Sequence, residues 1–364
     1  MHDLTDPACG PHAVQLIVDE VLGAVARHWP GPLLVHRGEH VVDIADNYDR
    51  LGYSPDARAR DARYTRYVDA TRMLRSQTSA LVPGGLRAMA RDGTLPAILA
   101  CPGMVYRRDV IDRLHTGTPH QLDVWPIGTG ERDISELVRV AVTAALPGVA
   151  WRTRAARHPY TTGGVEIEAW DGTAWVEIGE GGVAAAGVLR GAGLTPYARG
   201  LALGLGLDRL VMLRKGIGDI RLLRSADPRV SRQMTDLRPY RPVSAQPAAR
   251  RDVSVAMPAG VSAEEIGDRV REVLGAQAHL VEEVTLLSVT PVADLPAAAR
   301  QRLAGGEVNV LIRVVLRDLH GSLPRERVNA LRDRLLDGLS PRSHRVVRRG
   351  GSLVSAVTAG PRPR

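Results

Sequence analysis

"RGLALGLGLDRLVMLRKGIGDIR" occupies residues 199–221 and contains the pattern that decides the fold. Leu201, Leu203 and Leu205 alternate with small residues, which predicts a strand packed closely against another element. From Leu207 the apolar spacing becomes helical, so the stretch predicts a strand that turns directly into a helix. Its glycines lack the G-x-G-x-x-G register and a following Lys-Ser/Thr, so by themselves they are weak evidence of a phosphate loop.

Length and composition restrict the class of protein. The 364 residues suit two domains of ordinary size, and the 44% apolar content is typical of a globular protein. We expect a soluble, cytoplasmic protein, because the sequence has neither a signal-peptide pattern nor an apolar run of about 20 residues. Cys9 and Cys101 give no metal-ligand spacing and no disulfide framework. A net charge of +8 is compatible with a nucleic-acid partner, although a genome whose codon usage favours arginine would produce the same charge.

Other segments predict the elements around this strand–helix corner. Residues 14–25 have the apolar spacing of an amphipathic helix. "GVEIEAWDGTAWVEIGEGG" predicts two strands around an Asp-Gly turn, and "ILACPGMVYRRD" predicts a strand, a Pro-Gly break and a second strand. Asp133 and Glu136 are spaced like a capping box at the start of a helix. Beyond residue 250 the predicted order is strand, helix, strand, strand, helix, strand, which is the ferredoxin-like arrangement.

Three segments that follow one another along the chain together resemble a known family. They are "MLRSQTSA" (73–80), "PGMVYRRDVIDRLHTGTPHQLDV" (102–124) and "GLALGLGLDRLVMLRKGIGDIR" (200–221). Together they resemble phenylalanyl-tRNA synthetases, specifically the single-chain organellar type that has a ferredoxin-like anticodon-binding domain. "ADNYDRL" (45–51) is similar to the first class II motif of that family, and the second and third motifs lie in the later segments. The resemblance extends over nearly the whole chain.

This resemblance implies an α+β fold of two domains. Residues 1–235 would form a class II catalytic core, an antiparallel sheet flanked by helices, and residues 236–249 a linker. Residues 250–350 would form a ferredoxin-like βαββαβ anticodon-binding domain, and we expect residues 351–364 to be a disordered tail. The resemblance also implies ATP and Mg²⁺ as cofactors, tRNA and an aromatic amino acid as partners, and a monomer.

The resemblance assigns residues to ATP. Arg107 of the second motif and Arg209 of the third would hold phosphates, since a planar guanidinium suits the charge that develops on phosphate. His115 belongs to the same site, and Gly204 and Gly206 would let the backbone approach the adenosine. The alternative for each arginine is a surface ion pair of little energetic value, which is less favoured because each motif has its arginine in register.

The amino-acid side of the predicted site departs from the family. Family members usually have His-Thr-Ser where this chain has residues 77–79, and His-Gln-Leu/Val-Glu where it has residues 120–123. The family's Phe-Pro-Phe is His158-Pro159-Tyr160 in this chain. By the resemblance, the residues that contact the substrate ammonium and side chain are Gln77, Ser79, Gln121, Asp123, His158, Tyr160 and Ala202.

Two interpretations of this polar pocket stay open. A buried imidazole and phenol need hydrogen-bond partners, which a hydroxylated or otherwise polar aromatic substrate could supply. Alternatively, the substrate is still phenylalanine, and Tyr and His replaced Phe only to keep the chain free of Phe. The sequence has no Phe against 8 Tyr and 5 Trp, which indicates a copy that is translated when Phe-tRNA is scarce or mischarged. Such a copy would serve inhibitor resistance or a specialised pathway.

The remaining predictions concern metal, tRNA and the reaction itself. Glu166, Glu168 and Glu177 are candidate inward acids of the hairpin, and Glu166 and Glu177 are candidate metal ligands, although such acids are more often solvated. Two other functions are compatible with the sequence: an adenylate-forming enzyme that supplies a carrier or biosynthetic transferase, and a non-catalytic paralogue that binds tRNA or an amino acid. The candidate tRNA contacts are Arg250, Arg251, Arg345 and Arg348.

Overall fold

The computed structural model describes residues 2–128, 130, 132–243, 248–296, 300, 303–319 and 321–339. The strands in these residues are β1 Leu33–Val35, β2 Val41–Asp43, β3 Arg72–Leu74, β4 Ala97–Met104, β5 His120–Gly128, β6 Trp151–Ala155, β7 Thr161–Trp170, β8 Trp175–Ala184, β9 Arg199–Gly206, β10 Ala249–Pro258, β11 Val281–Thr290 and β12 Glu307–Leu316. The α-helices are α1 Ala13–His28, α2 Ile44–Asn47, α3 Val82–Asp92, α4 Ile134–Ala145, α5 Ala186–Gly191, α6 Leu207–Lys215, α7 Pro228–Ser231, α8 Ala263–Leu274 and α9 Arg325–Leu339.

The largest sheet has seven strands in the order β1-β4-β5-β9-β8-β7-β6. β1 is parallel to β4, and the other neighbours are antiparallel. In the centre of the sheet, Asp123 of β5 lies opposite Gly204 of β9, which lies opposite Glu180 of β8. Because residues opposite one another share a face of the sheet, this row carries two carboxylates with a glycine between them. The large antiparallel sheet flanked by helices confirms the predicted α+β class.

The opening stretch forms the strand–helix corner that the sequence predicts. β9 ends at Gly206 and α6 begins at the next residue. Leu201, Leu203 and Leu205 are buried in the hydrophobic core that α1 and α4 cover. The opposite face of β9 carries only small residues at Ala202, Gly204 and Gly206, because alternate residues of a strand point to opposite faces. The corner therefore provides a flat surface on one side of the sheet.

Helix α1 is the principal helix on the covered face of the sheet, and it packs against α4 and α6. It contains the whole predicted segment 14–25, and its apolar stripe, including the fully buried Ile17, faces the core. Asp133 is the N-cap of α4, as predicted, and its carboxylate accepts the Ser135 N–H at 2.8 Å, but the described contacts include no return hydrogen bond from the Glu136 side chain. None of the helices in the described part of the chain combines the length and apolar character that crossing a membrane requires.

We expect Ile17→Ala to lower the free energy of unfolding by about 3 kcal/mol, because it leaves a cavity in the core cluster that also contains side chains of α4 and α6. Leu16→Ala is the matched control, since Leu16 is 36% exposed on the same helix. Urea unfolding followed by circular dichroism measures both variants. A change for Ile17→Ala no larger than that for Leu16→Ala would contradict the burial of this face of α1.

The predicted Pro-Gly break after residue 101 is wrong. β4 continues through Pro102 and Gly103 to Met104, and it stays paired with β5 throughout. β1 pairs with β4 only as far as Ala100, so Pro102 lies where the strand has lost its second neighbour, and a missing N–H is tolerated at such a position. The second strand predicted after the break is an irregular segment, and it begins the loop of residues 105–119, the β4–β5 loop.

The C-terminal part of the chain has its own three-stranded antiparallel sheet in the order β10-β12-β11. α8 and α9 pack against one another, and the buried side chains of this region form a separate hydrophobic cluster. The order strand, helix, strand, strand, helix agrees with the sequence as far as α9. The last predicted strand, near residues 345–348, and the predicted tail 351–364 lie outside the described residues. The ferredoxin-like assignment and the domain boundaries therefore stay predictions.

Candidate active site

A cavity of about 350 Å³ lies over the small-residue face of β9. Its walls come from β5, β8, β9, the start of α6 and the β4–β5 loop. Arg107 and Arg209 share this cavity, as the two class II motifs predict. The predicted site residues that line it are Gln77, Ser79, Arg107, His115, Gln121, Asp123, Gly204, Gly206 and Arg209.

Arg209 lies in the first turn of α6, just beyond the glycine face of β9. Its Nη1 donates to the Glu177 carbonyl oxygen at 2.8 Å, and its Nη2 lies 3.0 Å from Nε2 of His115. Nδ1 of His115 is 2.7 Å from Asp112, and this hydrogen bond raises the pKa of His115. When His115 is neutral, its Nε2 accepts the Arg209 N–H, so the guanidinium is held on two sides and presents positive charge to the cavity.

Arg107 belongs to the β4–β5 loop and is fixed by the backbone. Its N–H donates to the Gly117 carbonyl at 3.0 Å, which joins the two arms of the loop. Its Nε donates to the Ser76 carbonyl at 2.7 Å, which holds the guanidinium against the segment before Gln77. The Arg107 guanidinium is therefore a second set of fixed N–H donors in the cavity. Among the described residues, no ion pair neutralises its charge.

The C-terminal part of the chain packs on the β4–β5 loop. Arg271 of α8 donates to the carbonyl oxygens of Asp109 and Val110 at 2.7 and 3.0 Å. Ile111 of the loop is buried in the hydrophobic cluster of the C-terminal sheet. A Cβ at Gly267 of α8 would come within 2.8 Å of the Asp109 carbonyl oxygen, so this close approach requires glycine. The loop that carries Arg107 and His115 thus depends on α8 for part of its shape.

Asp123 forms the acidic wall on β5 and is buried with its hydrogen bonds satisfied. Its carboxylate accepts the Thr78 hydroxyl at 2.6 Å, the Ser79 hydroxyl at 3.0 Å and the Trp125 indole N–H at 3.0 Å. Gln121 lies two residues earlier and accepts the Thr78 N–H at 3.2 Å. Burial raises the pKa of Asp123 to about 6, despite these hydrogen bonds. The carboxylate is therefore pre-positioned, and a cation would relieve the cost of its charge.

Glu180 forms a second acidic wall on β8, which sequence reasoning missed. One oxygen accepts the Tyr160 hydroxyl, and the other lies 3.0 Å from Nε2 of His158. Burial would raise the pKa of Glu180, but the hydrogen bond and charge of His158 outweigh it and lower that pKa. The same contact raises the pKa of His158. Both shifts favour the form of the pair with Glu180 as carboxylate and His158 as imidazolium.

A bulge explains how Glu177 and Glu180 both reach the cavity. In regular pairing, residues three apart on a strand point to opposite faces. The register of β7 and β8 shifts between residues 167 and 168, where Glu168 lies opposite Glu177 but Ile167 lies opposite Gly179. The extra residue turns Glu177 to the face that carries Glu180, and both line the cavity. Regular alternation along β8 would therefore place either Glu177 or Glu180 on the wrong face of the sheet.

The predicted side-chain pocket residues lie behind this acidic wall. The Tyr160 ring stacks near the rings of His158 and Trp125, with centroid separations of 5.9 and 6.0 Å. Tyr160 is only 2% exposed, and Ala202 is buried in the same hydrophobic cluster. His158, Tyr160 and Ala202 do not line the cavity, and Glu180 is the group through which this region meets it.

Of the two candidate metal ligands, Glu166 and Glu177, only Glu177 lines the cavity. Glu177 lines the cavity with its side chain 53% exposed, and its carboxylate is 3.5 Å from Arg209. Glu166 is half-buried on β7 and is not part of the cavity lining. Glu168 is buried against Arg152, whose Nε donates to it at 2.6 Å. The described ranges contain no group of three or more His, Cys, Asp or Glu side chains placed to hold a metal ion.

The candidate tRNA contacts are only partly described. Arg250 is exposed on β10. Arg251 is half-buried and donates to the Asn329 side chain at 3.2 and 3.1 Å. Arg345 and Arg348 lie outside the described residues.

Asp208 is a further residue of the site that sequence reasoning missed. It is buried and accepts hydrogen bonds from the backbone N–H and the ring of His120. Burial would raise the pKa of Asp208, but the contact with His120 lowers it to about 2. Asp208 therefore joins the start of β5 to the first turn of α6, which also carries Arg209. Its place in "GLGLDRL" is the signal that could have identified it.

A family model described as tRNA synthetases class II core domain (F) matches residues 33–234. This chain belongs to the class II tRNA synthetase family. The matched range covers the whole seven-stranded sheet and all the side chains that line the cavity. The class II motifs inferred from the sequence thus lie within the part of the chain that defines the family.

Curated relatives of this class II synthetase are named as phenylalanine–tRNA ligase alpha subunits. The protein of Prochlorococcus marinus (strain MIT 9313) is 35% identical over 204 residues, which is 55% of this chain and 59% of that protein. That of Nostoc punctiforme is 32% identical over 191 residues, or 51% of this chain and 56% of that protein. The chain therefore spans little more than half the length of these relatives.

Solved structures with a similar arrangement include the pyrrolysyl-tRNA synthetase of Desulfitobacterium hafniense. That structure has a TM-score of 0.47 and 17% sequence identity, and it covers 59% of this chain and 74% of its own.

Proposed function

We propose that this chain activates an aromatic amino acid with ATP and transfers it to tRNA. The observation that carries the proposal is one cavity in which Arg107 and Arg209 face the carboxylates of Asp123 and Glu180. An amino acid and ATP have complementary charges to these two sets, because the triphosphate is anionic and the amino group is cationic. The class II family supports the same reaction type.

The proposed first step joins the amino acid to AMP. An oxygen of the substrate carboxylate attacks the α-phosphorus, an O–P bond forms, and the bond to the bridging β-oxygen breaks. Pyrophosphate leaves with the electron pair. Arg107 and Arg209 would stabilise the negative charge of the transition state, since their orientation is already set by Ser76 and His115. In the second step a hydroxyl oxygen of the tRNA 3′-terminal adenosine attacks the carbonyl carbon, and the bond from that carbon to the phosphate oxygen breaks. AMP leaves with the electron pair, and the hydroxyl proton passes to its phosphate or to solvent.

Asp123 would orient the amino acid for this attack. Its carboxylate is the natural partner of the substrate ammonium, with Gln121 and Ser79 beside it on the same wall. Gln77 would close this end of the site, because it is held by Asn47 and lines the cavity. Fixing the ammonium places the substrate carboxylate over the glycine floor of β9, towards the arginines.

Mg²⁺ is expected to accompany ATP. Carboxylate oxygen is a ligand that Mg²⁺ prefers, and the ion usually combines one or two carboxylates with substrate phosphates. Glu177 fits this pattern because it is exposed to the cavity beside Arg209. When bound, Mg²⁺ would neutralise part of the phosphate charge.

The organisation of the rest of the chain is part of the proposal. Residues 1–235 are proposed as the catalytic core of a single-chain, monomeric synthetase, and residues 250–350 as a ferredoxin-like domain that binds the anticodon region. The separate β10-β12-β11 sheet with two helices supports this division. The exposed Arg250 on β10 is suited to a phosphate contact.

We also propose that this chain is a resistance or specialised-pathway copy, because its sequence contains no Phe. Its translation would not depend on charged tRNA(Phe). Expression is measured by pulse labelling in cells depleted of Phe-tRNA, beside a control protein of ordinary Phe content. A decline as steep as that of the control would contradict this role.

ATP–pyrophosphate exchange dependent on an aromatic amino acid tests the main proposal. The full chain is incubated with ATP, Mg²⁺ and labelled pyrophosphate, and aminoacylation of total tRNA is measured in parallel. We expect both activities. Exchange without tRNA charging would indicate an enzyme that supplies a different acceptor, and the absence of exchange with every aromatic amino acid would indicate a non-catalytic binder.

A further inference from the structure

We propose that Glu180 is a specificity-determining residue and that the substrate is an aromatic amino acid whose ring bears an O–H or N–H donor. This inference rests on the proposed function and identifies the substrate class of the same cavity. A ring without a donor, such as that of phenylalanine, would give the Glu180 carboxylate no hydrogen bond from the substrate.

The register of the sheet places Glu180 where a substrate side chain would end. Asp123, Gly204 and Glu180 lie in one row across three strands. The two acids are two strands apart, which is roughly 9.5 Å at the usual strand spacing. A Cβ at Gly204 would reach Glu180 Cγ only at 3.9 Å, so the floor between the acids is open. This space accommodates one aromatic amino acid, with its α-amino group at Asp123 and the far edge of its ring at Glu180.

The carboxylate of Glu180 has capacity for another donor. A carboxylate offers about four acceptor positions, and the described contacts of its side chain use two, with Tyr160 and His158. Its side chain is 36% exposed, and that exposed part lines the cavity. Its charge helps to raise the pKa values of Asp123, Tyr53 and Tyr160, so it acts throughout the region where the substrate would lie.

Aromatic side chains surround this carboxylate and favour a flat substrate. The ring of Tyr160 lies between those of Trp125 and Tyr53, at 6.0 and 6.5 Å. A second cavity, lined by Tyr53, also reaches Glu180 and Gln77. Burial and the charge of Glu180 raise the pKa of Tyr53 to about 12, so its hydroxyl remains protonated. Glu180 thus lies where the polar cavity meets a group of aromatic rings, and it is the carboxylate nearest to the Tyr160 hydroxyl.

The test compares five amino acids in ATP–pyrophosphate exchange with the full chain. They are phenylalanine and its meta-hydroxyl, para-hydroxyl, meta-amino and para-amino forms, so that the arms distinguish O–H from N–H donors and locate the donor on the ring. The variants are Glu180→Ala, Glu180→Gln and the control Glu39→Gln. Glu39 is exposed and away from the cavity. Thermal unfolding shows that each variant is folded.

For the wild-type chain we expect kcat/KM for at least one donor-bearing ring to exceed that for phenylalanine by about 100-fold or more. Glu180→Ala should reduce this preference to less than about fivefold, and Glu39→Gln should keep it. Glu180→Gln retains an acceptor oxygen and should preserve more of a hydroxyl preference than of an amino preference.

Two results would overturn the inference alone: exchange with phenylalanine as efficient as with every donor-bearing ring, or a preference that persists in a folded Glu180→Ala variant. A wild-type chain that exchanges pyrophosphate with none of the five would instead contradict the proposed function.

Discussion

Arg209→Ala is expected to lower kcat/KM for ATP in pyrophosphate exchange by about 1,000-fold, which corresponds to about 4 kcal/mol of transition-state stabilisation. The reason is geometric: Arg209 is held by the Glu177 carbonyl and by His115, so its charge needs no reorganisation when the phosphate charge develops. Arg107→Ala should have an effect of similar size, because Arg107 is fixed in the same cavity by Ser76.

Lysine and surface variants separate charge from position. Arg209→Lys should recover only part of the loss, since an ammonium cannot contact both phosphate oxygens as a planar fork does. Arg139→Ala is the matched control, because Arg139 is exposed on α4. Loss of less than about tenfold for both Arg107→Ala and Arg209→Ala, in folded protein, would show that the cavity does not hold the triphosphate between these arginines.

Asp123→Asn is expected to lower kcat/KM for the amino acid by about 100-fold at pH 7.5, because a hydrogen bond to a charged group is replaced by a neutral one. The variant keeps the shape of the side chain and its oxygen acceptor. KM for ATP should change little. Asp92→Asn is the control, since Asp92 is exposed at the end of α3.

The contribution of Asp123 to kcat/KM for the amino acid should depend on pH. Burial raises the pKa of Asp123 to about 6, so the wild-type carboxylate is ionised at pH 7.5 and becomes neutral as the pH falls through 6. We expect kcat/KM for the amino acid to fall about tenfold per pH unit below that point, since a neutral acid cannot pair with the ammonium. Asp123→Asn should lack this decline. A decline that persists in the variant would assign the titration to another group.

The raised pKa of Asp123 makes the stability of the fold decrease as the pH rises, whereas it makes the activity increase. A carboxyl group with a raised pKa favours the folded state when it is protonated. Its contribution is therefore complete below its unfolded value of 3.8 and is lost as the pH rises through about 6. Chemical unfolding between pH 4 and 7 should show a smaller loss of stability for Asp123→Asn than for the wild-type chain. The ammonium of a bound substrate would offset this penalty.

The sequence was sufficient to predict the parts of the fold that local pattern controls. The alternation of leucines and then their helical spacing predicted the β9–α6 corner, which the structure confirms. The arginines of the two motifs could be expected in one site because their place in the family pattern is fixed, and the cavity contains both. Local pattern failed at Pro102, where the number of neighbouring strands, a tertiary property, decides whether proline is tolerated.

Glu180 shows why the chemistry of the site was harder to predict than its location. Alternation along β8 assigns Glu177 and Glu180 to opposite faces, and only the pairing with β7 reveals the bulge that brings them together. Its partners, Tyr160 and His158, are about twenty residues earlier in the chain. The hydroxyl groups that bind Asp123 likewise come from a distant segment, although the Trp125 indole lies only two residues further along β5. Such side-chain partners follow from the assembled sheet and have no local signature.

The burial of Ile111 among C-terminal side chains has a practical consequence for dissecting the protein. A fragment cut in the region before β10 would place that isoleucine in water and leave the Asp109 and Val110 carbonyls without their arginine partner. The fragment would keep its seven-stranded sheet but lose the contacts from α8 that help to shape the β4–β5 loop. Crystallisation and inhibitor screening should therefore use both halves of the chain together.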